Sequence, residues 1–255
     1  MKAMVSHRVS LLGGFRLLVD GREVDTPATT QRMVAALALR GRSSRGRLAG
    51  MLWAGAAEAR ALASLRTAIW RANQLAPGLI GAAHDCVVLG PDVEVDVTRM
   101  VELAHTVMAD TSTGVRAAGA GRGTARVADD EPVPYVEGDL LPGWDDAWLA
   151  GDRERLRQLR LHVLEARAVQ LARCGRFGLA LEAALGAVRA DPLRESAHRT
   201  VIRIHLAEGN AAEAMQAYAE CAGVLRRRVG VAPSLQTRQL VAALAGRRPS
   251  VTMGA

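Results

Sequence analysis

The chain has 255 residues, 49% of them hydrophobic, which is enough apolar material for one large core or two ordinary ones and excludes a disordered tail or a disulfide-stapled mini-protein. Of its 33 basic residues only Lys2 is a lysine, so a GxxxxGK[ST] phosphate loop, a Schiff-base lysine and a kinase-type lysine are all excluded. The net charge of +7 is uneven: residues 1–80 hold twelve basic against four acidic side chains and residues 81–255 hold 21 against 22, so a polyanion is the expected partner of the first third.

In chain order, Val9, Leu11, Phe15, Leu17 and Val19 occupy alternate positions ahead of Asp20-Gly21, which predicts strand, tight turn, strand. A helical period through Met33, Val34, Leu37 and Ala38 follows and stops at Gly41. Ser43 or Ser44 can cap a second helix carrying Leu48, Met51, Leu52 and Trp53. A third helix is predicted from about Glu58 to Leu75, with Leu62, Leu65, Ile69 and Ala72 on its apolar face and Pro77-Gly78 ending it. Cys86–Leu89, Gly90-Pro91 and Val93–Val95 read as a short hairpin. Strands, three helices and a closing hairpin spell a winged helix-turn-helix, with the third helix in the major groove and the 84–95 hairpin as the wing along the backbone.

Residues 111–128 contain four glycines and no Leu, Ile, Met or aromatic residue, and a flexible loop is expected over about 111–131. Residues 152–246 are almost wholly helix-forming, broken at Gly175, Asp191-Pro192, Gly209, Gly230 and Pro233. A shift of 34 aligns Gly175 with Gly209, Ala180 with Ala214, Leu181 with Met215 and Ala183 with Ala217, which is the tetratricopeptide period. Ala180, Ala184 and Ala187 form a small-residue ladder along one helix. The fold expected is therefore mainly α, a winged helix over residues 1–96 followed by an all-helical, tetratricopeptide-like domain over 97–255.

On the third helix Arg60, Ser64, Thr67 and Arg71 recur at spacings of four, three and four and so share a face. Arginine grips guanine O6 and N7 bidentately, and Ser and Thr accept several partners, so this face is the candidate base reader, flanked by Arg66, Trp70 and Asn73. A solvated helix face is the plain alternative. Gln31, Arg32, Arg45 and Arg47 lie at helix starts, where exposed N–H groups favour phosphate, and are candidates for positioning contacts.

Elsewhere the chemistry is thin. Cys86, Cys174 and Cys221 are odd in number and lack CxxC spacing, so neither a bridge framework nor a zinc knuckle is expected and a reducing cytosol suits them. His198 and His205 are seven apart with nothing adjacent to complete a metal set, and the acidic clusters Asp129–Glu131 and Asp145-Asp146 read as solvated loops. No GxSxG, HExxH or GxGxxG stands in a supporting context, so no enzyme, cofactor or metal is expected. No apolar run reaches the roughly 18 residues of a membrane helix and no leader is evident, which predicts a soluble cytoplasmic protein.

Three stretches near the start, LLGGFRLLVDGREV, SSRGRLAGMLW and ASLRTAIWRANQL, resemble the OmpR-type winged-helix half of SARP-family activators, regulators of antibiotic clusters in actinomycetes. YVEGDLLPGWDDAWL, RERLRQLRLHVLEA and ADPLRESAHRTVIRIHLAEGNAAEAMQAYAECAGVLRRRVGVAPS resemble their bacterial transcriptional activator domain. The resemblance spans nearly the whole chain outside 111–134. It implies binding to tandem direct repeats of double-stranded DNA near the promoter −35 region, commonly as a homodimer, and recruitment of RNA polymerase through contacts that include its sigma factor, all on the nucleoid. The absence of a phosphate-loop lysine suits the short form of the family, which lacks an ATPase module. Arg66, Thr67 and Trp70 differ from the residues many relatives carry, so no operator sequence transfers. The other reading is a helical-repeat scaffold that binds a protein or peptide and has only sequence-blind affinity for nucleic acid.

Overall fold

The computed structural model describes residues 6–114 and 138–245. Contacts divide the chain into two units, one holding residues up to Leu103 together with those up to Leu156 that follow the undescribed segment, the other holding Ala104 onward in the same helix and Arg157 to the end.

The first unit opens with β1 (His7–Ser10), β2 (Arg16–Val19) and β3 (Arg22–Glu23). Asp20 and Gly21 join β2 to β3 with φ of 48° and 78°, the pair of left-handed conformations that a two-residue turn between right-twisted strands requires. Then come α1 (Ala28–Arg40), β4 (Ser43–Ser44), α2 (Arg45–Leu52), α3 (Glu58–Leu75), β5 (Ile80–Ala83), β6 (Cys86–Leu89), β7 (Val93–Val95) and α4 (Asp96–Gly114). α1, α2 and α3 pack on one another through Met33, Val34, Leu37, Leu48, Leu52 and Leu65, all buried. Gly41 closes α1 at φ 66°, and its N–H reaches the Leu37 carbonyl.

Two features differ from the sequence expectation. The closing hairpin is β5–β6, paired from Ile80↔Leu89 to Ala83↔Cys86 around His84-Asp85; Val93–Val95 does not fold back on Cys86–Leu89. β7 instead lies parallel to β1, with His7 opposite Val93, which gives a four-stranded sheet ordered β3-β2-β1-β7 beside a three-stranded one ordered β4-β6-β5. The buried stripe of α3 is Ala61, Leu65, Ala68 and Ala72, while Leu62 and Ile69 are only half-buried. Three of the four stripe residues are alanine, which lets α3 pack closely on its neighbours α1 and α2, and Leu62 and Ile69 turn to the flank.

The boundary expected at 96/97 also shifts. Asp96, the first residue of α4, is buried and accepts the N–H groups of Leu11 (2.8 Å) and Leu12 (3.0 Å), tying α4's start to β1. The segment from Gly138, expected within the helical half, packs on the winged helix. Leu12 bridges Leu140, Gly13 N–H reaches the Asp139 carbonyl at 2.9 Å, Phe15 stacks on Trp144, and Arg40 reaches the Trp148 carbonyl and Asp152. Arg153 gathers the carbonyls of Leu140, Leu141 and Trp144. Of the expected loop at 111–131, residues 111–114 close α4 and the remainder lies outside the described residues.

The second unit is α5 (Ala150–Arg173, which begins in the first unit), α6 (Phe177–Ala190), α7 (Glu195–Glu208), α8 (Ala211–Val229) and α9 (Leu235–Ala245). Gly175 and Gly209, 34 residues apart, turn the two helical hairpins at φ 73° and 90°, and Ala180 and Ala214 are both fully buried at matching places. Ala168, Leu171, Ala180, Ala184, Val201 and Ile204 make the main core, and Ile202, Ala214 and Val241 bring α9 onto the second hairpin. The small-residue ladder thus does what its spacing predicts, letting paired helices approach closely.

Candidate nucleic-acid interface

The first unit concentrates unneutralised cations on α2 and α3. The Ser44 hydroxyl caps α2 by accepting the Arg47 N–H at 3.4 Å, and the same two-residue β4 pairs with β6, so the start of α2 is fixed against the β5–β6 hairpin. The Arg45 N–H adds a bond to the Asp85 carbonyl at 3.2 Å. Arg45 and Arg47 therefore sit at the positive end of a helix, a position that disfavours cations within the protein and favours a shared anion.

α3 carries two polar flanks. On one, Arg60, Thr67 and Arg71 are exposed and Ser64 is half-buried; the Thr67 hydroxyl donates to the Ala63 carbonyl at 3.1 Å. On the other, Leu62, Arg66, Ile69 and Trp70 line a groove of about 850 Å³ with Arg45, Gly46, Glu58, Leu65 and Asp85. Trp70 is 62% exposed, the most exposed large apolar side chain described in the chain. Among the described residues none of Arg45, Arg47, Arg60, Arg66 or Arg71 has a carboxylate within ion-pair distance, whereas Arg8, Arg32, Arg40 and Arg99 all do. An indole and five free guanidinium groups on α2 and α3 suit phosphate and base edges, and supply neither a nucleophile nor a general base.

Three of the sequence candidates are engaged inside the protein. The Gln31 amide donates to the Thr26 carbonyl at 2.7 Å. Arg32 pairs with Asp146, which also accepts the Trp148 indole N–H at 3.1 Å. The Asn73 amide donates to the Ile80 carbonyl and accepts the Ile80 N–H, each at 3.0 Å, and so holds the start of β5 to α3. Their side chains are engaged in contacts within the first unit. The sequence reading missed Asp85 at the hairpin tip and the apolar floor of Leu62 and Ile69; the spacing of Leu62, Arg66, Ile69 and Trp70 on one helical flank was the available signal.

Among the described residues no group of three or more His, Cys, Asp or Glu side chains is placed to hold a metal ion. No described helix is long and apolar enough to cross a membrane.

A family model, the bacterial transcriptional activator domain, matches residues 95–245, and the chain belongs to that family of transcriptional activators. Within it the chain is a SARP-type regulator. It is 29% identical over 232 residues to the regulatory protein AfsR of Streptomyces coelicolor, a match covering 89% of this chain and 23% of that protein, so the chain spans under a quarter of the relative's length. Its fold is similar to that of Mycobacterium tuberculosis EmbR, solved in complex with a low-affinity phosphopeptide. The TM-score is 0.72 at 20% identity, over 96% of this chain and 66% of the other.

Proposed function

We propose that this protein is a sequence-specific activator that binds direct repeats near promoter −35 elements, as a homodimer on DNA, and recruits RNA polymerase through contacts that include its sigma factor. The promoters it serves belong to a secondary-metabolite, antibiotic-type cluster, and it works in the cytoplasm on the nucleoid. α3 reads bases in the major groove through Arg60, Ser64, Arg66, Thr67, Trp70 and Arg71. Arg45 and Arg47 grip phosphate, and the β5–β6 hairpin lies along the backbone. The observation that carries this reading is the set of five arginines without carboxylate partners on α2 and α3. Their guanidinium groups are left available to an external anion.

The test is a footprint on the promoters around its own gene, followed by gel-shift titration of Arg66→Ala and Arg71→Ala. Each is expected to lose about 1–3 kcal/mol of specific binding while retaining sequence-blind binding. A scaffold with a merely basic domain would give no footprint, and unchanged affinity in both variants would remove them from the site.

A further inference from the structure

We propose that the turn between α8 and α9 is a docking surface for an acidic, amphipathic segment of another protein, a site independent of the duplex reading above. The near-neutral balance of residues 81–255 conceals a second basic pole, because residues 221–255 contain six arginines and no acidic residue. Four of the six are on described surface: Arg226, Arg227 and Arg228 in the last turn of α8, and Arg238 one turn into α9. None of the four has a carboxylate partner among the described residues.

Between these cations stand Val229, Val231 and Leu235, 51%, 49% and 60% exposed, the three most exposed large apolar side chains described in the helical unit. Their exposure does not come from a frayed end. Gly230 caps α8 at φ 72°, its N–H on the Arg226 carbonyl; Pro233 is buried; and Ser234 and Thr237 are bonded to Glu195 of α7. A rigid turn therefore presents aliphatic side chains to water, with arginines on both sides.

Helix stability accounts for only part of this. Cations in the last turn of α8 offset its dipole, but Arg238 in the first turn of α9 opposes that helix's dipole, and neither term calls for three exposed aliphatics. An apolar centre with an arginine rim is the composition of a protein-binding surface. Nucleic acid would engage the guanidinium groups and leave the valines and the leucine unburied. A segment with carboxylates on one face and large apolar groups on the other satisfies both halves at once.

The experiment uses the full chain and a fluorescein-labelled synthetic helix with glutamates on one face and leucines on the other. An isomer of the same composition with its leucines dispersed, an oligoglutamate and a labelled DNA duplex serve as comparisons. By anisotropy the amphipathic helix is expected to bind roughly ten-fold tighter than its isomer or the oligoglutamate. Leu235→Ser, Val229→Ser and the triple change Arg226→Ala, Arg227→Ala, Arg228→Ala are each expected to lose about ten-fold of that binding with duplex affinity unchanged. Equal binding of the dispersed isomer or the oligoglutamate overturns the proposal, leaving bare charge. A fall in duplex affinity in the triple variant gives the patch to DNA, and loss of a dimer in Leu235→Ser by sedimentation gives it to a second copy; either result also overturns it.

Discussion

Glu195 and Asp96 are buried or half-buried carboxylates whose environments pull in opposite directions. At Glu195 burial acts to raise the pKa, but the Thr237 hydroxyl at 2.6 Å, the Ser234 N–H at 2.9 Å, the Ser234 hydroxyl at 2.8 Å and nearby Arg199 outweigh it, and the group sits below the ordinary glutamate range. At Asp96 burial dominates and pushes the carboxyl up, against the N–H groups of Leu12, Leu11 and Val97 and the charge of Arg16. A depressed carboxylate contributes stability that is present above its unfolded value and lost as the pH falls through its folded one; a raised carboxylate gains relative stability on protonation. Acid melting of the α7–α9 contact should therefore be set by Glu195. Glu195→Gln is expected to cost about 1–3 kcal/mol near neutrality and to flatten the fall of Tm with pH below the ordinary glutamate range. A variant that keeps the full acid dependence would place the titrating group elsewhere. The Cys221 thiol, buried and pushed up to about 11 chiefly by desolvation, takes no part in such chemistry.

Elements with strong local signals were legible in the sequence. α3 spans Glu58–Leu75 as its period and the following Pro77-Gly78 predict, and the breaks at Gly175, Gly209 and Gly230 fall where glycine's left-handed backbone is needed. What was hidden is long-range or made of small residues. Ile80–Ala83 carries glycine and two alanines and gives no strand signal, and β7 finds its partner 86 residues upstream, a pairing that local alternation cannot encode. The candidate site was half-legible for the same reason: spacing identifies which arginines share a face, but not that Arg32 is taken by Asp146 or Asn73 by Ile80. The 138–141 strap is the clearest hidden element. Gly138 has φ 93°, and a Cβ there would lie 2.7 Å from the Gly13 nitrogen and 3.0 Å from its Cα, backbone atoms that cannot swing aside. Gly138→Ala is expected to destabilise the first unit by about 1–3 kcal/mol or more, read as a lowered urea midpoint. An unchanged midpoint would mean that the strap is not seated on Gly13.

At the scale of the whole molecule, arginines divide into those used to hold the fold and those left for a partner, and salt separates the two. Arg32 and Arg40 are spent on Asp146 and Asp152, and Arg194 on Glu165, so removing any of them should lower stability without altering how a duplex responds to ionic strength. Arg45, Arg47, Arg60, Arg66 and Arg71 have no such partner, and each one that touches phosphate should contribute about −0.9 to the slope of log affinity against log salt. If Arg45 and Arg47 are the two that do so, the slope per protomer is about −1.8, enough to weaken binding by roughly ten-fold between ~50 and ~200 mM salt. Arg45→Ala and Arg47→Ala should each lower the magnitude of the slope by about one and weaken all sequences alike, because phosphate carries no base identity. Arg66→Ala should instead narrow the gap between operator and random duplex if its guanidinium grips a base. The same titration on Arg32→Ala is the internal control: after correction for the unfolded fraction its slope should match the parent. A matching loss of slope there would mean that charge total, rather than the placement of free arginines on α2 and α3, governs the encounter with DNA.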